Sequence, residues 1–171
     1  MLGVALLAGA CQSTRVYLVR HAEKATQPAS DPDLTDIGKE RAQDLAALLA
    51  DEDIKAIYST NYRRTRLTAT PLAEKRKLNI LTYTPDSAAK IVTAAFKSKK
   101  NTLIVGHSNT LIPTLKSLGL KPSIEQISDN DYDNMFILRK RQGEWILEHR
   151  TFGKTSPATD NQPLSYQMKI D

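Results

Sequence analysis

Apolar and polar positions along the chain alternate between short continuous apolar runs and longer stretches with helical spacing. Val16, Tyr17, Leu18 and Val19 form an apolar run with no polar alternation, the pattern of a strand covered on both faces. Thr102–Gly106 (TLIVG) repeats that pattern, and residues 54–59 and 78–83 form two further strand candidates. Between them lie amphipathic stretches. Gly38, Ala42, Leu45 and Leu49 make one helical stripe, with Thr35 or Asp36 as its cap. A second helix is predicted to begin near Tyr62, with Pro71 expected to kink or end it. Ala88, Ile91, Val92 and Ala95 mark a third helix, opened by Asp86 or Ser87. Leu111, Leu115 and Leu118 mark a fourth, opened by Ser108, Asn109 and Thr110 and stopped by Gly119 and Pro122. Residues 135–139 and 145–149, joined through Arg141-Gln142-Gly143, read as a hairpin.

Strands that alternate with helices predict an α/β domain: a mainly parallel sheet covered by helices, with the final hairpin as its antiparallel edge. The stretches 25–33 and 124–131 are polar and rich in turn formers, and read as loops. From Gly153 onward the chain is polar and expected to be loosely held, which places the domain at residues 14–152 and a tail at 153–171.

Composition narrows the class without changing this picture. The 171 residues are 40% hydrophobic and 25% charged, values of one ordinary globular domain. The net charge of +5, from 24 Lys and Arg against 19 Asp and Glu, suits an anionic ligand. The basic residues are scattered apart from Lys97, Lys99 and Lys100 and the run Arg139–Arg141, and no aromatic residues interleave them. These clusters read as solvated surface, and a nucleic-acid partner is not expected. Residues 1–11 (MLGVALLAGAC) are apolar and small, too short to span a bilayer but suited to an export signal. Cys11 follows Leu-Ala-Gly-Ala, which resembles a bacterial lipobox, and so predicts a lipid anchor at Cys11 and an exported or membrane-attached protein. The competing reading is an incidental extension of the first strand, with the protein cytoplasmic. As the only cysteine it leaves no structural disulfide.

The candidate chemistry gathers at strand ends. Arg20, His21, Glu23 and Lys24 follow the first apolar run, and ligands of open α/β sheets bind where strands end. A neutral imidazole is a competent nucleophile toward phosphorus, and a neighbouring guanidinium both disfavours its protonation and orients a phosphate. His107 follows the TLIVG run in the same way, and the helix start at Ser108 offers free N–H groups to an anion. Arg63, Arg64 and Arg66 follow the second strand, either as a solvated face or with one guanidinium turned over the sheet edge. Asp86 follows the third strand, as a helix cap or as an acid of the site. His149, on the hairpin, is expected to pack or face solvent.

The segments VYLVRHAEK, STNYRRTRLTA and LIVGHSNT, in that order, resemble the histidine phosphatase superfamily, also called phosphoglycerate mutase-like, and its small phosphatases in particular. The family's Arg-His-Gly appears as Arg20, His21 and Ala22, its second arginine falls on Arg64 beside Thr65, Thr68 and Ala69, and its second histidine on His107. The resemblance implies a three-layer α/β/α sandwich and no metal or cofactor. It implies His21 as the nucleophile that forms a phosphohistidine, with Arg20, Arg64 and His107 holding the phosphoryl oxygens. For the acid it suggests Asp86, after the third strand, with Asp31 and Glu23 as the alternatives. The absence of the insertions that mutases carry favours hydrolysis, with a small phosphorylated molecule or a phosphoprotein as substrate. A mutase-type phosphotransferase and a silent phosphate-binding protein are the alternative readings. Neither the physiological substrate nor the oligomeric state is legible.

Overall fold

The computed structural model describes residues 13–156. The N-terminal apolar segment with Cys11, and the tail from residue 157, lie outside the described residues. Six strands form one sheet in the order β3-β2-β4-β1-β5-β6, with β1 at Arg15–Arg20, β2 at Ala56–Ser59, β3 at Ile80–Thr82, β4 at Thr102–Gly106, β5 at Asn134–Arg141 and β6 at Glu144–Thr151. The β1–β4, β2–β4 and β2–β3 pairs are parallel, and β5 joins β1 antiparallel before turning into β6.

Alternation along the central strands divides the core in two. Tyr17, Val19, Leu103 and Val105 pack beneath Leu45, Leu49, Ala69 and Leu72, from α1 (Asp36–Leu48), the residue that follows it, and α2 (Arg63–Arg76). Val16, Leu18 and Ile104 pack on the other face against Val92, Ala95, Leu111 and Leu115, from α3 (Ala88–Lys97) and α4 (Ser108–Ser117). The result is the expected three-layer α/β/α sandwich. Among the described residues no helix is long and apolar enough to cross a membrane.

Local chemistry explains the element boundaries. The Thr35 hydroxyl accepts from the Gly38 amide at 3.1 Å, so Thr35 rather than Asp36 caps α1. A Cβ on Gly38 would lie 2.2 Å from the Glu23 carbonyl oxygen, so only glycine lets α1 approach the segment after β1 this closely. Pro71 does not end α2, which runs on to Arg76. The carbonyl left without its helical donor belongs to Leu67, an exposed position where water can take the bond, while Ala69 and Leu72 on the opposite face are buried. Residues 85–87 form a 3-10 turn, and α3 begins after them without a side-chain cap.

The C-terminal end of the described chain departs from expectation. The Arg41 guanidinium donates to the carbonyls of Phe152 (2.8 Å) and Lys154 (2.7 Å), the Ser156 amide donates to Asp133 Oδ2 (2.8 Å), and the Tyr132 amide donates to Ser156 Oγ (2.9 Å). Residues 153–156 are therefore fastened to the domain rather than loose.

Candidate active site

Strand register creates the site. Arg20 pairs with Gly106 across the parallel β1–β4 ladder, and the His21 amide extends that ladder by donating to the Gly106 carbonyl at 2.9 Å. The next residues, His21 and His107, therefore leave the sheet side by side, with ring centroids 5.5 Å apart in an edge-to-face arrangement. A Cβ on Gly106 would come within 2.8 Å of the Tyr83 hydroxyl and 3.2 Å of Thr110 Oγ1, so glycine suits this close crossing of β4 with its neighbours.

His21 is buried, and its Nδ1 lies 2.8 Å from the Ala22 carbonyl oxygen. A carbonyl only accepts, so Nδ1 carries the proton and Nε2 holds the lone pair. Burial, then the nearby Arg20, His107 and Arg64, lowers the His21 pKa to about 3. The ring is thus a neutral imidazole with its lone pair on Nε2. Thr68 fixes the segment behind it, its hydroxyl accepting from the Ala22 amide at 2.9 Å and donating to the Arg64 carbonyl at 2.7 Å.

His107 is anchored by a relay of hydroxyls. Thr65 donates to the Tyr62 carbonyl (2.8 Å), Thr60 donates to Thr65 Oγ1 (3.0 Å), and the Thr60 oxygen lies 2.9 Å from His107 Nε2. With both hydroxyl protons committed, Thr60 accepts from the His107 Nε2–H. Burial, then Arg64 and Arg20, lowers the His107 pKa to about 4. His107 itself caps α4, its amide donating to Thr110 Oγ1 at 3.1 Å, so the cap is neither Ser108 nor Asn109. Its carbonyl takes the amides of Thr110 and Leu111, which leaves the Ser108 and Asn109 N–H groups of the first turn without an intrahelical acceptor.

Each arginine is held by a tyrosine. Arg20, 4% exposed, donates to the carbonyls of Ser128 (2.7 Å) and Asp131 (2.8 Å), with its guanidinium 4.2 Å from the Tyr132 ring centroid. The Arg64 guanidinium lies 4.2 Å from the Tyr62 ring centroid, and that ring stands edge-on to His107 at 5.2 Å. The Nε atoms of both arginines are buried without a partner among the described residues. Two unspent cationic donors beside two neutral imidazoles suit a compact, multiply charged anion.

The three carboxylates weighed for the site separate. Glu23 is engaged by the buried Arg41, whose Nε and Nη2 reach its two oxygens at 2.7 to 3.0 Å. Asp31 Oδ1 lies 3.7 Å from the Arg64 guanidinium and accepts from the Arg63 amide at 2.9 Å. Arg63 turns outward to Asp33. Asp86 is exposed in the 3-10 turn, where the Thr84 side chain and nearby amides lower its pKa, and it lines with Asn109 and Thr110 a depression of about 310 Å³. Among the described residues no group of His, Cys, Asp and Glu has the placement of a metal site. His149 packs, stacked on Phe136 at 4.5 Å and bonded to Asn134 and Ser123.

Sequence reasoning did not find Tyr132, Tyr62, Thr60 or Arg41. Tyr132 lies 111 to 112 positions from the arginine and histidine it faces, and no local pattern connects them. Thr60 is the exception, since a hydroxyl at the end of β2 shares an edge with two strand-end histidines.

Known proteins resemble parts of this chain and its fold. Residues 16–86 match the histidine phosphatase superfamily (branch 1). Over 73 residues the chain is 40% identical to phosphoserine phosphatase 1 of Hydrogenobacter thermophilus, covering 39% of this chain and 35% of that enzyme, so the matched part spans about a third of its length. The fold aligns with mycobacterial glucosyl-3-phosphoglycerate phosphatase at a TM-score of 0.65 and 14% identity, covering 80% of this chain and 98% of that one. It aligns with a candidate phosphohistidine phosphatase, SixA, of Agrobacterium tumefaciens at a TM-score of 0.61 and 22% identity, covering 83% of this chain and 99% of that one. Over residues 16–86, then, the chain is similar to branch 1 of the histidine phosphatase superfamily.

Proposed function

We propose that this protein is a metal-independent phosphatase that hydrolyses phosphomonoesters through a phosphohistidine on His21. The observation that carries the reading is the His21 Nδ1–H bound to the Ala22 carbonyl in a ring kept neutral by burial, which leaves Nε2 as the free nucleophile beside His107. In this reading Arg20, Arg64 and the Ser108 amide hold the three equatorial oxygens of the phosphoryl group, and His107 joins them as an imidazolium when the bound phosphate dianion favours its protonated form. Positioning and charge neutralisation supply most of the catalysis of such transfers.

The Nε2 lone pair attacks phosphorus, the bond to the leaving oxygen breaks, and that oxygen takes a proton from a carboxylic acid. Water then attacks the phosphohistidine, the P–N bond breaks, the water proton returns to the carboxylate, and inorganic phosphate leaves. We assign the proton to Asp31 ahead of Asp86. Asp31 reaches Arg64, whereas the hydrogen bonds of Asp86 lie within its own turn. Geometry is the first requirement of a general acid.

Turnover of a radiolabelled phosphomonoester tests the proposal. A label on the protein that survives alkali, is released by acid, persists in EDTA and is absent from His21→Ala is expected. Full turnover by His21→Ala would sink it, and tight phosphate binding with neither label nor turnover would make the protein a silent phosphate binder. We also propose export with lipid attachment at Cys11, supported by the apolar segment before it. Radiolabelled palmitate incorporated by the wild type and not by Cys11→Ser is the expected result, and incorporation by neither overturns it.

A further inference from the structure

Two short basic runs that look like separate solvated surface in the sequence are brought together by the fold. α3 ends at Lys97, and β5, antiparallel to β1, ends at Arg141, so both runs reach the edge where β1 and β4 begin. That edge is opposite the one carrying His21 and His107. There Lys97, Lys99 and Lys140 line a groove of about 490 Å³ with Ser13, Thr14 and Phe96.

Lys97, Lys99, Lys100 and Lys140 are exposed, and none forms an ion pair with a described carboxylate. Lys97 is in the last turn of α3, an ordinary place for a lysine, but the other three lie beyond any helix. Lys140 Nζ is 4.2 Å from the Trp145 ring centroid, and Phe96 stands edge-on to the same ring at 4.8 Å. Ser13, the first described residue, lies on the rim of this groove, and in the sequence only Gln12 separates it from the apolar residues 1–11. Cations on long stems above an aromatic pair, at the edge where Ser13 lies and with an apolar stretch preceding Ser13 in the sequence, have the chemistry of a face that rests on lipid headgroups.

We propose that this edge docks on an anionic lipid surface, with Lys97, Lys99, Lys100 and Lys140 meeting headgroup phosphates while His21 and His107 face the aqueous side. The assignment does not depend on the catalytic reading. A single-stranded polynucleotide would need aromatic faces open for stacking, whereas Lys140 and Phe96 already cover Trp145.

The full chain carrying Cys11→Ser, with vesicles of phosphatidylcholine alone and with added phosphatidylglycerol, provides the test. Residues 1–11 set a common baseline, and the difference between the two vesicles is the readout. Binding on the order of a hundredfold tighter to the anionic vesicles at low salt is expected for a few lysines near the surface, weakening as salt screens them. The emission of Trp145, the sole tryptophan, should shift to shorter wavelength on binding. The triple variant K97E/K99E/K140E should lose the anionic preference with its unfolding midpoint unchanged. Equal binding to both vesicles, undiminished binding by that variant, or binding without a change in Trp145 emission overturns the proposal. Lysine-dependent binding to DNA with none to the anionic vesicles would assign the patch to nucleic acid instead.

Discussion

His21 and His107 stand edge to face at 5.5 Å because each follows one member of a residue pair in adjacent parallel strands. Two histidines 86 positions apart are thus spaced by sheet register. Their surroundings hold both rings neutral.

That neutrality predicts an acid-sensitive fold. The pKa values of His21 and His107 are lowered to about 3 and about 4, against an ordinary 6.5. Below about pH 6.5 the unfolded chain takes up protons that the folded chain refuses, so stability falls as pH drops from there toward 4 and is fully present above 6.5. Unfolding midpoints measured across this range should decline, and should decline less steeply in His21→Asn/His107→Asn.

Consecutive arginines should behave very differently. Arg64 lies over Tyr62 with a buried, unspent Nε, while Arg63 is exposed and paired with Asp33. Loss of an oxyanion-holding donor costs about 100- to 1,000-fold in rate, which is the expected fall in turnover for Arg64→Ala. Arg63→Ala gives up only an exposed ion pair and should stay within a few-fold of wild type.

The choice of acid is read from leaving groups. Asp31→Asn should slow alkyl phosphates, whose leaving oxygen needs a proton, far more than p-nitrophenyl phosphate, whose leaving group barely does. Asp86→Asn should leave both rates near wild type, since its hydrogen bonds lie within residues 84–87. The reverse outcome moves the proton to Asp86.

Glu23 is predicted to act on the fold and not on the reaction. Arg41 is 2% exposed and spends its donors on Glu23, Phe152 and Lys154. Replacing Arg41 with Met strands the Glu23 carboxylate, and breaking such a buried pair typically costs about 3 to 5 kcal/mol. Chemical denaturation should register this loss, while Glu23→Gln, normalised to folded protein, keeps its turnover.

What the sequence reveals is what repeats locally. The double-sided apolar runs of β1 and β4 identify central strands, and with them the two strand-end histidines. Pro71 misleads because the missing bond falls on the exposed face of a helix already held by Ala69 and Leu72. Residues 153–156 mislead because their polar composition conceals that their backbone amides and carbonyls meet Arg41 and Asp133. Thr60 reaches a partner 47 positions away, Tyr132 one 112 away and Arg41 one 113 away, relationships no periodicity encodes. Asp31 and Asp86 each occupy a position the sequence favours for chemistry, and only side-chain direction separates them.

The clasp of Arg41 on Phe152 and Lys154 also orders events in time. Arg41 grips Glu23, two residues from His21, and the carbonyls of Phe152 and Lys154 with the same guanidinium. During synthesis this junction cannot close until residue 154 has cleared the ribosome, so a nascent chain displays its histidines long before their supporting loop is locked. A stop codon after Thr151 would leave every proposed catalytic side chain in the sequence and still remove both of those carbonyls.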